Sequence, residues 1–337
     1  AMKAEVCLYE GTFRKYRKNE DGQQAPDATG AARYLTACKK ECLEVMRKGY
    51  KLNTSYQGNY NSTDLSSNPE MILYKAYKEG LLMPSTIDYT CSSTQISGMS
   101  KNAFESYLFK DGKPMALTSL NKSDEAPFQY GHLSLKAILA VRDKRLAQTI
   151  DTVLLYNGRG FTRFNTGMES TSSTGYGVAK YDNEAIPEGF RSQSGKNYTH
   201  APLFWLSVIY LNYAEACAEL GNITQDDLDK SINLLKDRAG LPHLNPIVGF
   251  SDPANNHGVS DLIWEIRRER RCELMFDNDN RYWDLIRWHQ LDKLDTTKYP
   301  DIILGANVAN DMDGCEANKV GKYIDGSKDG SRIYDTK

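Results

Sequence analysis

The sequence predicts a mainly α-helical protein of tetratricopeptide-like helix pairs, with long loops and a few short strands. Three observations carry this. Leu203, Leu206, Tyr210, Tyr213, Cys217 and Leu220 are spaced to lay one apolar stripe along a helix. Gly221 then suits a helix end, and Thr224 starts a second helix, so the two return antiparallel as a pair near the roughly 34-residue repeat length. The same helix–loop–helix pattern recurs over 1–50 and 260–294.

Taken in chain order, Met2 to Tyr16 places Val6, Tyr9 and Phe13 on one stripe and shows no N-cap, so the chain begins inside an element. A polar loop with Gly22, Pro26 and Gly30 leads to a helix over about 31–48, closed by Gly49. Asn, Ser, Thr, Gly and Tyr dominate 53–68 and 85–98, which read as long loops. Between them Met71 to Tyr77 is predicted as a strand, and 146–156 as another; 157–199 reads mostly as loop. Pro202 fits a first helical turn, so the best-marked helix is predicted to start there. Ala214, Ala216 and Ala218 let it approach its neighbours closely. Thr224 and Asp227 have capping-box spacing, and Leu228, Ile232 and Leu235 line the next helix, which ends at Gly240 and Pro242. Ser260 caps a helix with Leu262, Ile263 and Ile266. After a turn at 277–280, a second helix holds Tyr282, Leu285, Ile286 and Leu291. Residues 305–337 have almost no apolar periodicity and read as loop or tail. The chain is read as one domain fragment: a helix pair (1–50), a loop-rich ligand face (51–199), a helix-pair scaffold (200–294) and a tail (295–337).

Composition removes several function classes. Lys and Arg total 42 against 44 Asp and Glu, a net charge of −2, without the basic stripe that holds nucleic acid. The longest nearly apolar run, Leu203 to Leu211, falls far short of the roughly 20 residues of a membrane helix, and mean hydropathy is −0.58. Seven scattered cysteines are not a disulfide framework. Cys38 and Cys42 share a helix face and read as buried, inert thiols. No phosphate-binding glycine loop, HExxH, GxSxG or CxxC occurs, and the five histidines lack ligand spacing, so no cofactor, metal or catalytic residue is assigned. Calcium-loop spacing fails after Asp277, where Tyr282 and Trp288 replace the required Gly and Glu. Asp325 to Gly330 fits only the first half of that template, so a solvated turn is favoured. Between Glu265 and Glu273, four Arg face three Glu. Helical stripes carry Glu269 and Arg270 inward, where charges must be paired, so this stretch reads as a structural ion network.

The chain has 21 tyrosines, and several sit in the long loops. Tyr56 and Tyr60 lie in the first; Tyr89 lies in the second with Ser92, Ser93 and Gln95. A sugar presents an apolar C–H face and a polar rim, so an aromatic plate with nearby hydroxyl and amide groups can hold it without charge. The alternative is a polar loop with incidental tyrosines.

The assembled motifs resemble the SusD/RagB family, surface glycan-binding lipoproteins of Bacteroidetes that partner TonB-dependent outer-membrane transporters. The resemblance rests on Leu211-Asn212-Tyr213-Ala214-Glu215-Ala216, Glu219-Leu220-Gly221 and Arg238-Ala239-Gly240-Leu241-Pro242. It continues through Ile266-Arg267-Arg268-Glu269-Arg270-Arg271-Cys272-Glu273-Leu274 and Arg281-Tyr282-Trp283-Asp284-Leu285-Ile286-Arg287-Trp288. Weaker echoes such as Asn68-Pro69-Glu70-Met71 keep the family's order along nearly the whole chain. The resemblance implies a helix-pair scaffold in which Ala214, Glu269, Arg270, Arg281 and Asp284 are structural, with ligand contacts drawn partly from 84–100. It also implies an outer-membrane protein facing outward, held by a lipid anchor absent from this chain. Members are longer at both ends, so an internal or truncated portion is expected. Together these readings give a non-enzymatic oligosaccharide- or polysaccharide-binding subunit of a nutrient importer, with Tyr89 as stacking plate and Gln95 as polar partner. Two other classes stand beside it. A tetratricopeptide-type interaction scaffold would expose apolar residues on its helix pairs. A glycoside hydrolase would need two carboxylates about 5–9.5 Å apart.

Overall fold

The computed structural model describes residues 1–18, 24–87, 97–120, 135–152, 161–162, 169–170, 172–191, 193–277, 280–307, 322–325 and 333–335. It is mainly helical with a few short strands, and the chain forms two compact units. Unit 1 comprises 1–54, 68–73 and 202–295; unit 2 comprises 55–67, 74–201 and 296–337.

Unit 1 is built on helix pairs. Helices α1 (Met2–Tyr16) and α2 (Ala28–Met46) pack against each other. Their approach is close at Gly11, where a Cβ would lie 2.8 Å from Leu35 Cγ. Asp27 caps α2 by accepting from the Gly30 amide at 2.8 Å. Helix α3 (Leu206–Glu219) is buried at every residue and contacts α1, α2 and α6. Its small residues Ala214 and Ala216 permit that enclosure. Helices α4 (Gln225–Asp229) and α5 (Ile232–Ala239) complete the second pair, as expected, except that a break at Lys230–Ser231 splits the return helix. The capping box forms: Thr224 Oγ1 accepts from the Asp227 amide, and Asp227 accepts from the Thr224 amide. Gly240 closes α5 at φ 71°, a left-handed conformation that glycine adopts without strain. Helix α6 (Asp261–Glu273) starts at the Ser260 cap, and α7 (Asn280–Arg287) follows.

The expected helical start at Pro202 is corrected. Ala201–Trp205 is a strand paired with Met71–Lys75, and the helix begins at Leu206. A pairing partner some 130 residues away in sequence decides this segment, and helical spacing cannot report it. The strand expected at 71–77 does form over Met71–Lys75.

Unit 2 is loop-rich with short elements. Ser100 caps the helix Lys101–Ser106, and its Phe104 stacks on Tyr176 with centroids 4.3 Å apart. The strand expected over 146–156 is corrected in its first part: Leu146–Thr149 is a helical turn, Ile150 makes a single antiparallel bridge with Val178, and 153–156 lie outside the described residues. Asp143 takes the Arg145 amide and guanidinium, and Thr149 Oγ1 donates to the Arg145 carbonyl, so local polar bonds override the loose alternation. The tail reading of 305–337 is also corrected. Leu304–Asn307, Lys322–Asp325 and Ile333–Asp335 form an antiparallel sheet, with Tyr323 opposite Tyr334 and Ile324 opposite Ile333. Each strand is too short to show a period of its own. The partial calcium-loop match at 326–330 lies outside the described residues.

Candidate functional site

Tyr89, Ser92, Ser93 and Gln95 lie outside the described residues; what the structure gives is how unit 2 holds the two feet of their loop. At the first foot, Asn197 Oδ1 accepts from the Ile87 amide at 2.8 Å. Its Nδ2 donates to the Phe190 carbonyl at 2.6 Å, and its backbone amide donates to the Pro84 carbonyl at 3.1 Å. Asn197 is fully buried, so one residue, through its side chain and its backbone amide, joins three segments of chain away from water. Below it Ile87 packs on Ile186, with Phe190 and Tyr198 at the flank. Ser85 Oγ accepts from the Gly195 amide at 2.6 Å and bonds Ser194 Oγ at 3.1 Å.

At the second foot, the Ser97 carbonyl accepts from Ser172 Oγ at 3.0 Å, and the buried Met99 donates its amide to the Tyr176 carbonyl at 2.9 Å. Gly98 presses so closely on this wall that a Cβ would meet Thr174 Oγ1 at 2.2 Å. Thr174 is braced in turn: its carbonyl accepts from the Ala306 amide at 2.8 Å, and Gly305 lies flat against its backbone. Residues 84–87 and 97–99 are therefore each held against unit 2 by polar bonds and close packing.

Tyr56 and Tyr60 are 1% and 2% exposed, so they do not offer an open ring face. Their rings meet edge-on at 5.3 Å, and the Lys180 ammonium sits 3.6 Å above Tyr60. Around them Asn61 donates to the Asp182 carbonyl, Asn183 donates to the Asn61 carbonyl, and Arg191 forms a bidentate pair with Asp182 at 2.9 and 2.7 Å. Composition alone could not separate a buried tyrosine from a displayed one. Nor did any sequence signal mark Asn197 or Thr174, since a lone polar residue in a loop has no period. Among the described residues no cluster of three or more His, Cys, Asp or Glu is placed to hold a metal.

The residues read as structural gather in unit 1. Arg270 Nε donates to both oxygens of Asp284 at 3.0 Å, and its Nη1 donates to Asn212 at 2.7 Å. Arg287 grips Glu215 through Nη1 at 2.5 Å and Nη2 at 2.8 Å, reaches Asp284, and also donates to Thr12 at 3.0 Å. Trp288 Nε1 adds a third donor to Glu215 at 2.8 Å. Burial by itself raises the Glu215 carboxyl; Arg287, then Arg270 and Arg267, outweigh it and bring the group down to about 2. Glu269 lies 3.7 Å from Lys236. Ala214 is fully buried, while Arg281 reaches no acid within ion-pair distance among the described residues and lies 5.9 Å from the Trp288 ring centre.

Unit 1 also has a cleft of about 540 Å³, walled by Tyr9, Tyr34, Leu203, Trp205 and Trp283. Val6 and Trp283 at its rim are 61% and 51% exposed.

The family model of the SusD family matches residues 45–332. No curated protein matches the chain. A SusD-like carbohydrate-binding protein from Bacteroides fragilis has a similar fold, with TM-score 0.62 at 22% identity over 97% of this chain and 64% of that one. A second SusD-like protein from Bacteroides fragilis gives TM-score 0.51 at 22% identity, over 82% of this chain and 57% of that one. The chain thus spans less than two thirds of the length of either. With most of its residues matched by the family model and its helix pairs assembled as described, the chain belongs to the SusD family.

Proposed function

We propose that this chain is the glycan-binding part of a surface nutrient-uptake protein, non-catalytic, working with a TonB-dependent transporter at the outer face of the outer membrane. The observation that supports it most is the hold on both flanks of residues 88–96: Asn197 bonds to Pro84 and Ile87, and Ser172 and Tyr176 bond to Ser97 and Met99. Binding loops on rigid scaffolds are where recognition concentrates. The SusD-like relative from Bacteroides fragilis is described as carbohydrate binding, which agrees. In this reading Tyr89 stacks on a sugar ring, Gln95, Ser92 and Ser93 bond its hydroxyls, and the buried Tyr56 and Tyr60 support the platform from within. None of the described helices is long and apolar enough to cross a membrane.

The test is retardation of the protein in gels cast with defined polysaccharides, followed by calorimetry on the best ligand. Tyr89→Ala should weaken binding about fivefold or more, the loss of a stacking plate worth about 1–3 kcal/mol. Unchanged affinity would remove Tyr89 from the site. The interaction-scaffold reading has its own support in the exposed Val6 and Trp283 beside the unit 1 cleft. It predicts blank glycan arrays and protein capture that Trp283→Ala abolishes.

A further inference from the structure

Away from the loop base, unit 1 gathers cations around two indole rings. Helix α6 contributes Trp264, Arg267 and Arg271; α7 contributes Arg281; the 3-10 turn Leu291–Leu294 contributes Lys293. The Arg267 guanidinium lies 4.3 Å from the Trp288 ring centre and 4.7 Å from that of Tyr16. Arg281 lies 5.9 Å from the same Trp288 ring, and the Lys293 ammonium lies 4.8 Å above Trp264.

For Arg267, Arg281 and Lys293, acidic partners among the described residues fall short. Arg267, only 4% exposed, gives Nη2 to Glu219, which Lys15 and Tyr16 also share, while its buried Nε and Nη1 have no partner. Asp284 is taken by Arg270 and Arg287, and Asp292 faces His257 at 3.2 Å. No carboxylate lies within ion-pair distance of Arg281 or Lys293 among the described residues. Like charges crowded in a partly dry setting repel. A guanidinium stays charged through neutral pH, so the lysine yields. Burial first, then Arg281, Arg271 and Arg267, outweigh Asp292 and bring the Lys293 ammonium down to about 7.

We propose that Arg281 and Lys293, with Arg267 behind them, form a binding site for an oxyanion group, a carboxylate or a sulfate. Charge-assisted bonds from a guanidinium fork and an ammonium suit such a group, and its charge relieves the repulsion among the cations. Both side chains are partly exposed, so the group can arrive from solvent. Two sources carry that chemistry: a uronate or sulfate ester on an acidic polysaccharide, and a free ion. The site is independent of the 84–100 loop, so failure of the Tyr89 test leaves it standing.

The probe is sodium sulfate, compared with sodium chloride at equal ionic strength to remove screening. Calorimetry and thermal unfolding at pH 6.0 and 8.5 read the effect. Lys293 is charged below about 7 and loses its proton above it. Sulfate should therefore bind and stabilise at pH 6.0, and weaken at least fivefold at pH 8.5. Lys293→Gln should weaken binding at pH 6.0 and flatten the pH dependence. Arg281→Gln should weaken it too, with Arg281→Lys retaining part of it. Circular dichroism checks that each variant is folded, and Lys293→Gln, in a short surface turn, carries the test if Arg281→Gln is not. A sulfate effect no larger than that of chloride overturns the proposal, as does sulfate binding unchanged in Lys293→Gln. Gels cast with polygalacturonate, heparin or neutral dextran then separate the sources. Retardation by the acidic polymers that Lys293→Gln abolishes upholds the site and assigns the polysaccharide. Sulfate binding without retardation upholds it and assigns the free ion.

Discussion

Replacing Glu215 by Gln tests the ion network most directly. The residue is 1% exposed and accepts two bonds from Arg287 and one from Trp288. Gln keeps the shape and one acceptor but removes the charge, leaving Arg287 with Asp284 as its acidic partner. Removing one member of a buried ion pair costs about 3–5 kcal/mol. The carboxyl's descent from 4.5 to about 2 gives an independent figure of about 3 kcal/mol. Since the folded value lies below the unfolded one, this stability is complete above about pH 4.5 and is lost as pH falls toward 2. By pH 3.5 about 1.4 kcal/mol of it should be gone. Urea unfolding followed by circular dichroism, on the parent and on Glu215→Gln, reads the gap directly. The gap should be about 3–5 kcal/mol at pH 7 and visibly narrower at pH 3.5. A gap under about 1 kcal/mol at pH 7, or one that ignores acid, refutes the reasoning. Lys3→Gln, which breaks the exposed pair with Glu41, is the control and should leave the unfolding curve in place.

Three further changes probe other parts. Gly305→Ala drives a Cβ to within 2.1 Å of the Thr174 carbonyl oxygen, where backbone meets backbone; it should cost about 1–3 kcal/mol and weaken glycan binding through the second foot, read by urea unfolding and calorimetry. Asn197→Ala orphans the buried Ile87 amide at a cost of about 1–3 kcal/mol; hydrogen exchange at Ile87 should accelerate and the protein should stay folded. Asp227→Ala removes the capping box together with the acceptor for Tyr213 Oη at 2.5 Å; a loss of about 2 kcal/mol is expected in urea unfolding, and an unchanged midpoint would show that the cap contributes nothing.

The helix pairs were legible because their information is local. The stripe through Tyr210, Tyr213 and Cys217, the Thr224–Asp227 box and Gly240 each act within a few residues, and each forms as read. The errors share the opposite cause. Ala201–Trp205 and Leu304–Asn307 become strands through partners that propensity cannot see. At the candidate site, tyrosine content pointed to the loops, yet it could not tell that Tyr56 and Tyr60 turn inward. Asn197 was illegible for a different reason: its role is to join Pro84, Ile87 and Phe190, which only the folded chain brings together. The Glu269 and Arg270 stripe was read correctly as inward-facing; which acid met which base, Asp284 for Arg270 and Glu215 for Arg287, needed the coordinates.

A helix with no wet side sets a timetable for synthesis. Helix α3 leaves the ribosome about 160 residues after α2 ends, which at ordinary translation speed is roughly 10–30 s. Through that interval the nascent α1–α2 hairpin keeps Cys38, whose thiol ends 3.7 Å from the Asn212 carbonyl of α3, without its eventual cover. That hairpin is therefore a stretch for a holding chaperone to grip, and slow codons between the two helices would lengthen its exposure.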